Sequence, residues 1–327
     1  MLRSFQYEEK LYMEYSLHND LLRDKEIEMA YQFVASHPIC RKMECKCPIC
    51  GHENSQYFYT KWDVDYLRCD YCKSIFAMCD RTTVEQYQQY EKLRQFRLSQ
   101  EYQEQIILRR KEVWQDFLEW IEVRSFRFMR RNRKLSVVDI GNWRKGYSEV
   151  IRDSALTGCY DLRESWTGQD TYNIAEGEAD LVFYLDRMVG ELDPEQKIRH
   201  FSRWLKKDGL LIINARAGSG FDIITLRENS RGIYPYEHIV LPSVRGLTYL
   251  LQRCGYEVLE VTTPGVMDVK YVMESRDKLD KRESFVQYLL EESTQPMLQE
   301  FQRFLQKSCL SSLVCVIARK DKEHADL

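Results

Sequence analysis

At 327 residues, with 44% apolar and 30% charged side chains, the chain is long enough for one large α/β domain plus a smaller module. Its formal net charge of −3, from 48 basic against 51 acidic residues, carries no basic excess, so nothing at this level points to nucleic acid or a membrane surface. No apolar run approaches the ~20 residues that span a bilayer, and the opening MLRSFQYEEKLYMEY lacks the apolar core of a secretory signal, so a cytoplasmic protein is expected.

Residues 1–44 read as an N-terminal helical segment, with Tyr12, Leu17, Leu21 and Leu22 set among charges until His37-Pro38 breaks the run. Residues 45–80 change to short strands and turns punctuated by cysteine pairs. Cys47-Pro-Ile-Cys50 and Cys69-Asp-Tyr-Cys72 are separated by eighteen residues. Two such knuckles place four thiolates tetrahedrally about a zinc ion, and four protein ligands leave no open position, so a structural zinc ribbon is expected. Gly51 and Lys73-Ser74 suit the tight turns that aim backbone N–H groups at sulfur. Cys45 is an alternative ligand. Cys40 and Cys79 have no evident partner, and Cys159, Cys254, Cys309 and Cys315 read as core thiols in a reducing compartment. The ribbon's Lys46, Lys61, Arg68 and Lys73 are too few and too mixed with acids for a nucleic-acid reader.

Residues 81–134 form a helical connector. Thr83 to Arg133 contains neither proline nor glycine, and Ile106, Val113, Phe117, Trp120 and Ile121 recur at helical spacing, which predicts one or two long helices. The connector ends in RSFRFMRRNRK at 124–134. It reads as a solvated face with Phe126, Phe128 and Met129 packed inward, or as a patch for phosphate or an acidic partner.

From 135 to 327 strands alternate with helices, the pattern of a doubly wound sheet, with a helical insertion at about 276–308. Strands are expected at Val137–Ile140, Gly158–Asp161, Asp180–Leu185, Gly209–Asn214, Glu257–Thr262 and Ser311–Ala318, the last antiparallel at or near the sheet edge. Helices are expected at Pro194–Lys206 and Ser243–Cys254. Only eighteen residues separate Asp161 from Asp180, so the third strand of the usual order must be reduced, to about Thr171–Ile174, or lost.

The stretch LSVVDIGNWRKGYSEVIRDSALTGCYDL opens this region as a strand, a glycine-bearing turn, a short helix and a second strand with an acid at Asp161. That is the start of a nucleotide-binding βαβ unit, whose first turn aims N–H groups at the ligand and whose acid takes a ribose hydroxyl. A second cluster, Arg216-Ala-Gly-Ser-Gly-Phe-Asp222 followed by Tyr234-Pro-Tyr-Glu-His238, adjoins strand ends where open α/β sheets place ligands. Arg216 suits an anionic substrate. His238 is a candidate general base, with Glu237 orienting it or acting alone; a structural Glu-His hydrogen-bonding element is the other reading.

VVDIG and the spacing from Asp139 to Asp161 resemble S-adenosylmethionine-dependent methyltransferases. Together with CPIC…CDYC, LKKDGLLII, SGFD, YPYEHIVLPSVRGL, TTPGVMDVKYV and LSSLVCVIARK, they make residues 45–320 similar to bacterial class I (Rossmann-like) methyltransferases with an N-terminal zinc ribbon, of the kind associated with surface-polysaccharide or modified-sugar pathways. The resemblance implies an α/β fold: a Rossmann-like doubly wound methyltransferase sheet with an N-terminal helical segment and zinc ribbon. It implies S-adenosylmethionine and a structural Zn2+ as cofactors, and a small-molecule, sugar or glycan-precursor acceptor. In such a protein the Gly141–Gly146 turn with Asp139 cradles the methionine end, Asp161 takes the ribose, and Asp186 faces the transferable methyl. Trp143 and Lys145 stand where such enzymes carry glycines, and Gly146 comes one position late. Trp143 can therefore cap the ligand or fill its site, and a catalytically silent binding or scaffold protein is the alternative. The Tyr-x-Glu-His passage also resembles deoxysugar C-methyltransferases, with Pro235 at the tyrosine position.

Overall fold

A computed structural model describes residues 16–37, 46–105, 120–121, 123–124, 127–129, 135–140, 160–164 and 174–321. The first helix, α1 (Ser16–Ser36), stops immediately before His37, and its inner face buries Leu22, Ala30, Phe33 and Val34 while Leu21 faces outward. Strands β1 (Ser55–Lys61), β2 (Val64–Cys69) and β3 (Ile75–Ala77) follow as an antiparallel meander.

The connector begins with two short helices rather than with one of the one or two long helices expected: α2 (Arg81–Gln88) and α3 (Glu91–Leu98). Asp80 starts α2 by accepting from the Thr83 N–H, satisfying one of the orphan donors of the first turn. The break at Gln89–Tyr90 re-aims α3 so that Leu93 and Arg97 turn inward, Arg97 reaching Glu26 on α1 at 2.5 Å. Helical periodicity does not register that buried ion pair, so the break was not legible. Ile106, Val113 and Phe117 lie outside the described residues. Trp120 is buried and donates to Glu260 at 2.9 Å, and Arg124 pairs with Glu260 at 3.0 Å. Phe128 and Met129 pack inward as expected.

The large sheet is built from β4 (Leu135–Ile140), β5 (Tyr160–Glu164), β6 (Ala179–Leu185), β7 (Leu205–Arg216), β9 (Tyr256–Thr262) and β10 (Leu313–Lys320), in the order β5-β4-β6-β7-β10-β9. The strands β5, β4, β6 and β7 are mutually parallel, and β10 is antiparallel to both β7 and β9. This is a mixed, Rossmann-like α/β sheet, four parallel strands extended by two antiparallel ones. Every residue of β6 is buried, as is the LLIINA run of β7, which explains their apolar stretches LVFYL and LLII: helices or loops cover both faces. Each such Leu, Ile or Phe contributes roughly 1.5–3 kcal/mol on burial.

The closing strand lies one position in from the edge, which β9 occupies. Of the reduced third strand proposed at Thr171–Ile174, residues 171–173 lie outside the described residues and Ile174 is not in a strand. Helix α4 (Pro194–Trp204) begins with the Asp193 side chain accepting from Gln196 and a proline in its first turn. Helix α6 (Val244–Arg253) is capped by Ser243, and α5 (Phe221–Leu226) and α7 (Asp268–Glu274) pack together through Leu226, Val269 and Val272. The insertion forms two helices, α8 (Ser284–Glu292) and α9 (Gln295–Lys307), with Pro296 in the first turn of the second. No helix among the described residues is long and apolar enough to cross a membrane.

One pairing was not visible in the sequence. A two-residue strand, β8 (Val240–Leu241), joins β3 antiparallel, so the small sheet has the order β1-β2-β3-β8. The segment carrying His238 thus completes the cysteine-bearing module.

Candidate metal centre and cofactor crevice

Cys47, Cys50, Cys69 and Cys72 converge, with all four Sγ atoms within 4.8 Å of one another. The Cys47–Cys72 and Cys50–Cys69 sulfurs are 3.6 and 3.5 Å apart. A tetrahedral ion with Zn–S bonds near ~2.3 Å has sulfur–sulfur edges of about 3.8 Å, so the cage has the right size for such a metal. The two knuckles repeat one local geometry. Gly51 N–H bonds Cys47 O and Lys73 N–H bonds Cys69 O, both from residues at positive φ (74° and 64°). Cys47 N–H then reaches His52 O, and Cys69 N–H reaches Ser74 O, each at 2.9 Å. A zinc ion held here would take all four cysteines as thiolates.

The cage is bolted to the large domain. Ser243 donates to Cys72 O at 2.5 Å, its N–H meets Ser74 Oγ at 3.0 Å, and Arg253 donates to Cys50 O at 2.7 Å. Tyr66 on β2 donates to His238 O at 3.0 Å. Cys79, Cys254 and Cys315 are buried away from the cage; Cys309 is partly exposed, and Cys40, Cys45 and Cys159 lie outside the described residues.

At the carboxyl edge of the large sheet, Asp139 is buried on β4, and Asp186 follows β6 with φ 56°. The Asp186 N–H donates to Asn214 Oδ1 at 2.6 Å, and Asn214, itself fully buried on β7, has an Nδ2 with no hydrogen-bond partner among the described residues. A buried donor without a partner costs about 1–3 kcal/mol, and one sitting at a strand's ligand-facing end suits a bound group. Asp161 is placed on β5 in register with Ser136 of β4, its side chain outside the described residues. Gly141, Trp143, Lys145 and Gly146 also lie outside them.

The second cluster divides into two. Glu237 pairs with Arg97 at 2.8 Å, giving a Glu26–Arg97–Glu237 triad in which Glu26 and Arg97 are buried and Glu237 is half-buried. His238 is half-buried against the Tyr234 ring, with centroids 4.9 Å apart, and its Nδ1 stands 3.3 Å from both the N–H and the carbonyl oxygen of Tyr234. Burial lowers its pKa to about 3, Glu237 opposing and Arg216 assisting. The ring is therefore neutral near pH 7 and acts as a hydrogen-bond acceptor, a weak base. Because the folded pKa lies below the unfolded value near ~6.5, the unfolded chain takes up this proton first, and His238 contributes stability that is lost as pH falls from about 6.5 toward 3. We expect its ring carbon resonances, followed by NMR, to stay fixed between pH 5 and 8. A midpoint inside that window would contradict this placement. Arg216 pairs with Asp222 at 2.9 Å, and burial raises the Asp222 carboxyl to about 6.

No family model matches the chain, and no curated protein does. Among solved structures it is similar to phosphoethanolamine N-methyltransferase 2 of Haemonchus contortus in complex with S-adenosyl-L-methionine (14% identity, 70% of this chain and 60% of that one, TM-score 0.44). It is also similar to an S-adenosylmethionine-dependent methyltransferase from Mesorhizobium loti (13%, 62% and 97%, TM-score 0.34). A third likeness is the [4+2]-cyclase SpnF (13%, 64% and 82%, TM-score 0.36). Likeness at this level carries no activity with it; the fold rests on the strand order above.

Proposed function

We propose that the protein is an S-adenosylmethionine-dependent methyltransferase acting on a small-molecule acceptor, a sugar or glycan precursor, with a zinc ion fixing its cysteine module. The observation that carries this reading is the carboxyl edge of the large sheet, where Asp139 is buried near the end of β4, Asp186 follows β6 and donates its N–H to Asn214 of β7, and the Asn214 amide nitrogen has no partner among the described residues. When bound there, the cofactor supplies an electrophilic methyl group. Asp139 and the Gly141–Gly146 turn would order its methionine end, Trp143 would cap it, and Asp161 would take the ribose hydroxyls. With its Nδ1–H given to the Tyr234 carbonyl, His238 would accept a hydrogen bond from the acceptor at Nε2, and Glu237 would act by holding Arg97 rather than by touching substrate. Residues 1–44, 45–80, 81–134 and 135–327 would serve as helical segment, ribbon, connector and methyltransferase-like domain. Four thiolate ligands suit a reducing cytoplasm.

The second reading, a catalytically silent fold, is favoured by Trp143 and Lys145 in the cofactor turn. Calorimetric titration of the full chain with S-adenosylhomocysteine separates the two. Saturable one-to-one binding is expected. No heat and no thermal shift at millimolar ligand would leave the silent reading standing.

A further inference from the structure

Three cations from three distant parts of the chain meet on one short stretch of backbone. Lys61, at the end of β1, donates to Ser230 O at 2.5 Å. Arg23, on α1, donates to the next carbonyl, Arg231 O, at 3.3 Å and to the Tyr271 hydroxyl at 2.9 Å. The Arg216 guanidinium lies so close against Gly232 that a Cβ there would stand 2.1 Å from its Nη2. Both guanidinium groups flank the Tyr271 ring, at 5.6 and 5.7 Å from its centroid.

Such convergence is costly unless something negative answers it. Arg216 has Asp222. Arg23 and Lys61 form no ion pair among the described residues, and Arg216 Nε and Ser230 Oγ are buried without a hydrogen-bond partner there. The repulsion is felt. Burial, and after it Arg23, with Lys278 and Arg216 adding to the effect and Glu228 opposing it, lowers the Lys61 ammonium to about 7. The sequence also accepts local strain to put Lys61 here. The β1–β2 turn uses Trp62 and Asp63 at positive φ (49° and 62°), where Asn-Gly is the favoured choice, and Trp62 is braced by Tyr31 and Tyr234.

We propose that Arg23, Lys61 and Arg216 form a cradle for a phosphate-type anion, carried by a phosphorylated small molecule that enters between α1, the β1–β2 turn and the carboxyl end of β7. Two planar guanidinium forks and one ammonium supply the donor set that a phosphate or diphosphate engages from several sides. Arg216 ends β7, at the carboxyl edge of the sheet to which the methyl-transfer reading assigns its acceptor. Assigning the anion to that acceptor rests on the methyl-transfer reading; the cradle itself does not.

The test is calorimetric titration of the full chain with inorganic pyrophosphate at low ionic strength and pH 7, with no methyl donor present. Saturable one-to-one binding is expected, weakened at least tenfold by Lys61→Met and by Arg23→Met, while acetate at equal ionic strength gives none. Glucose 1-phosphate binding more tightly than inorganic phosphate would support an organic phosphate as the natural occupant, and equal affinities the free anion. Lys61→Met should also hold or raise the melting temperature, because it removes a repelled charge. Absence of saturable pyrophosphate binding, or undiminished affinity in both variants, would overturn the cradle. Since S-adenosylhomocysteine is titrated separately, failure of one site is distinguishable from failure of the other.

Discussion

A Cys69→Ser variant is expected to lose stoichiometric zinc and to melt far below the parent protein. Four sulfurs within 4.8 Å of one another form a site that three ligands cannot close, and a serine oxygen is a poor substitute at neutral pH. Structural zinc contributes roughly 10–16 kcal/mol in small zinc-folded peptides. Here β8 and the bonds from Ser243 and Arg253 hold part of the module independently, so the loss should be smaller, on the order of 4–5 kcal/mol, within the range reserved for loss of a metal. Metal content by plasma mass spectrometry and thermal melting check this together. Cys254→Ser, a buried thiol outside the cage, should leave the metal count unchanged. A Cys69→Ser protein that keeps one zinc per chain and the parental melting point would remove the metal from this module.

Replacing Arg97 with leucine should cost about 3–5 kcal/mol at neutral pH, the penalty for breaking a buried ion pair from one side. Arg97 is 7% exposed and stands between Glu26 and Glu237, at 2.5 and 2.8 Å. Leucine removes the guanidinium that Glu26 and Glu237 share. A second substitution, Glu26→Gln, should then restore part of the loss, a coupling that denaturant titrations of the single and double variants would measure. If Arg97→Leu unfolds at the parental denaturant concentration, the triad contributes nothing. Because the Glu237 end of the triad adjoins His238, the variant should also disturb any ligand affinity that depends on the 234–238 segment.

The large sheet was legible because its central strands are buried on both faces and therefore carry continuous apolar runs, as LVFYL and LLII show. Helix starts were legible where a capping side chain precedes them, at Asp193 and Ser243. The four cage cysteines were legible because knuckle spacing is set by local turn geometry. What escaped depends on contacts between distant segments. Strand β8 has two residues and no periodicity of its own. Glu237 reads as a partner for the adjacent histidine until α3 delivers Arg97. Lys61 reads as one scattered ribbon lysine, and Arg23 as one helical charge, until folding brings both to residues 230–231. Burial also turns His238 from a titrating base into a neutral acceptor, which a histidine's intrinsic pKa does not reveal.

The dependence of the cysteine-bearing sheet on β8 bears on the order of events during synthesis. Ser74 and Ser243, hydrogen-bonded in the finished protein, are 169 residues apart in the chain. While translation proceeds, the nascent N-terminal sheet must wait with the free edge of β3 exposed until Val240 and Leu241 have left the ribosome. Early metal capture would hold the two knuckles together through that interval, shielding a vulnerable edge from pairing with neighbouring nascent chains.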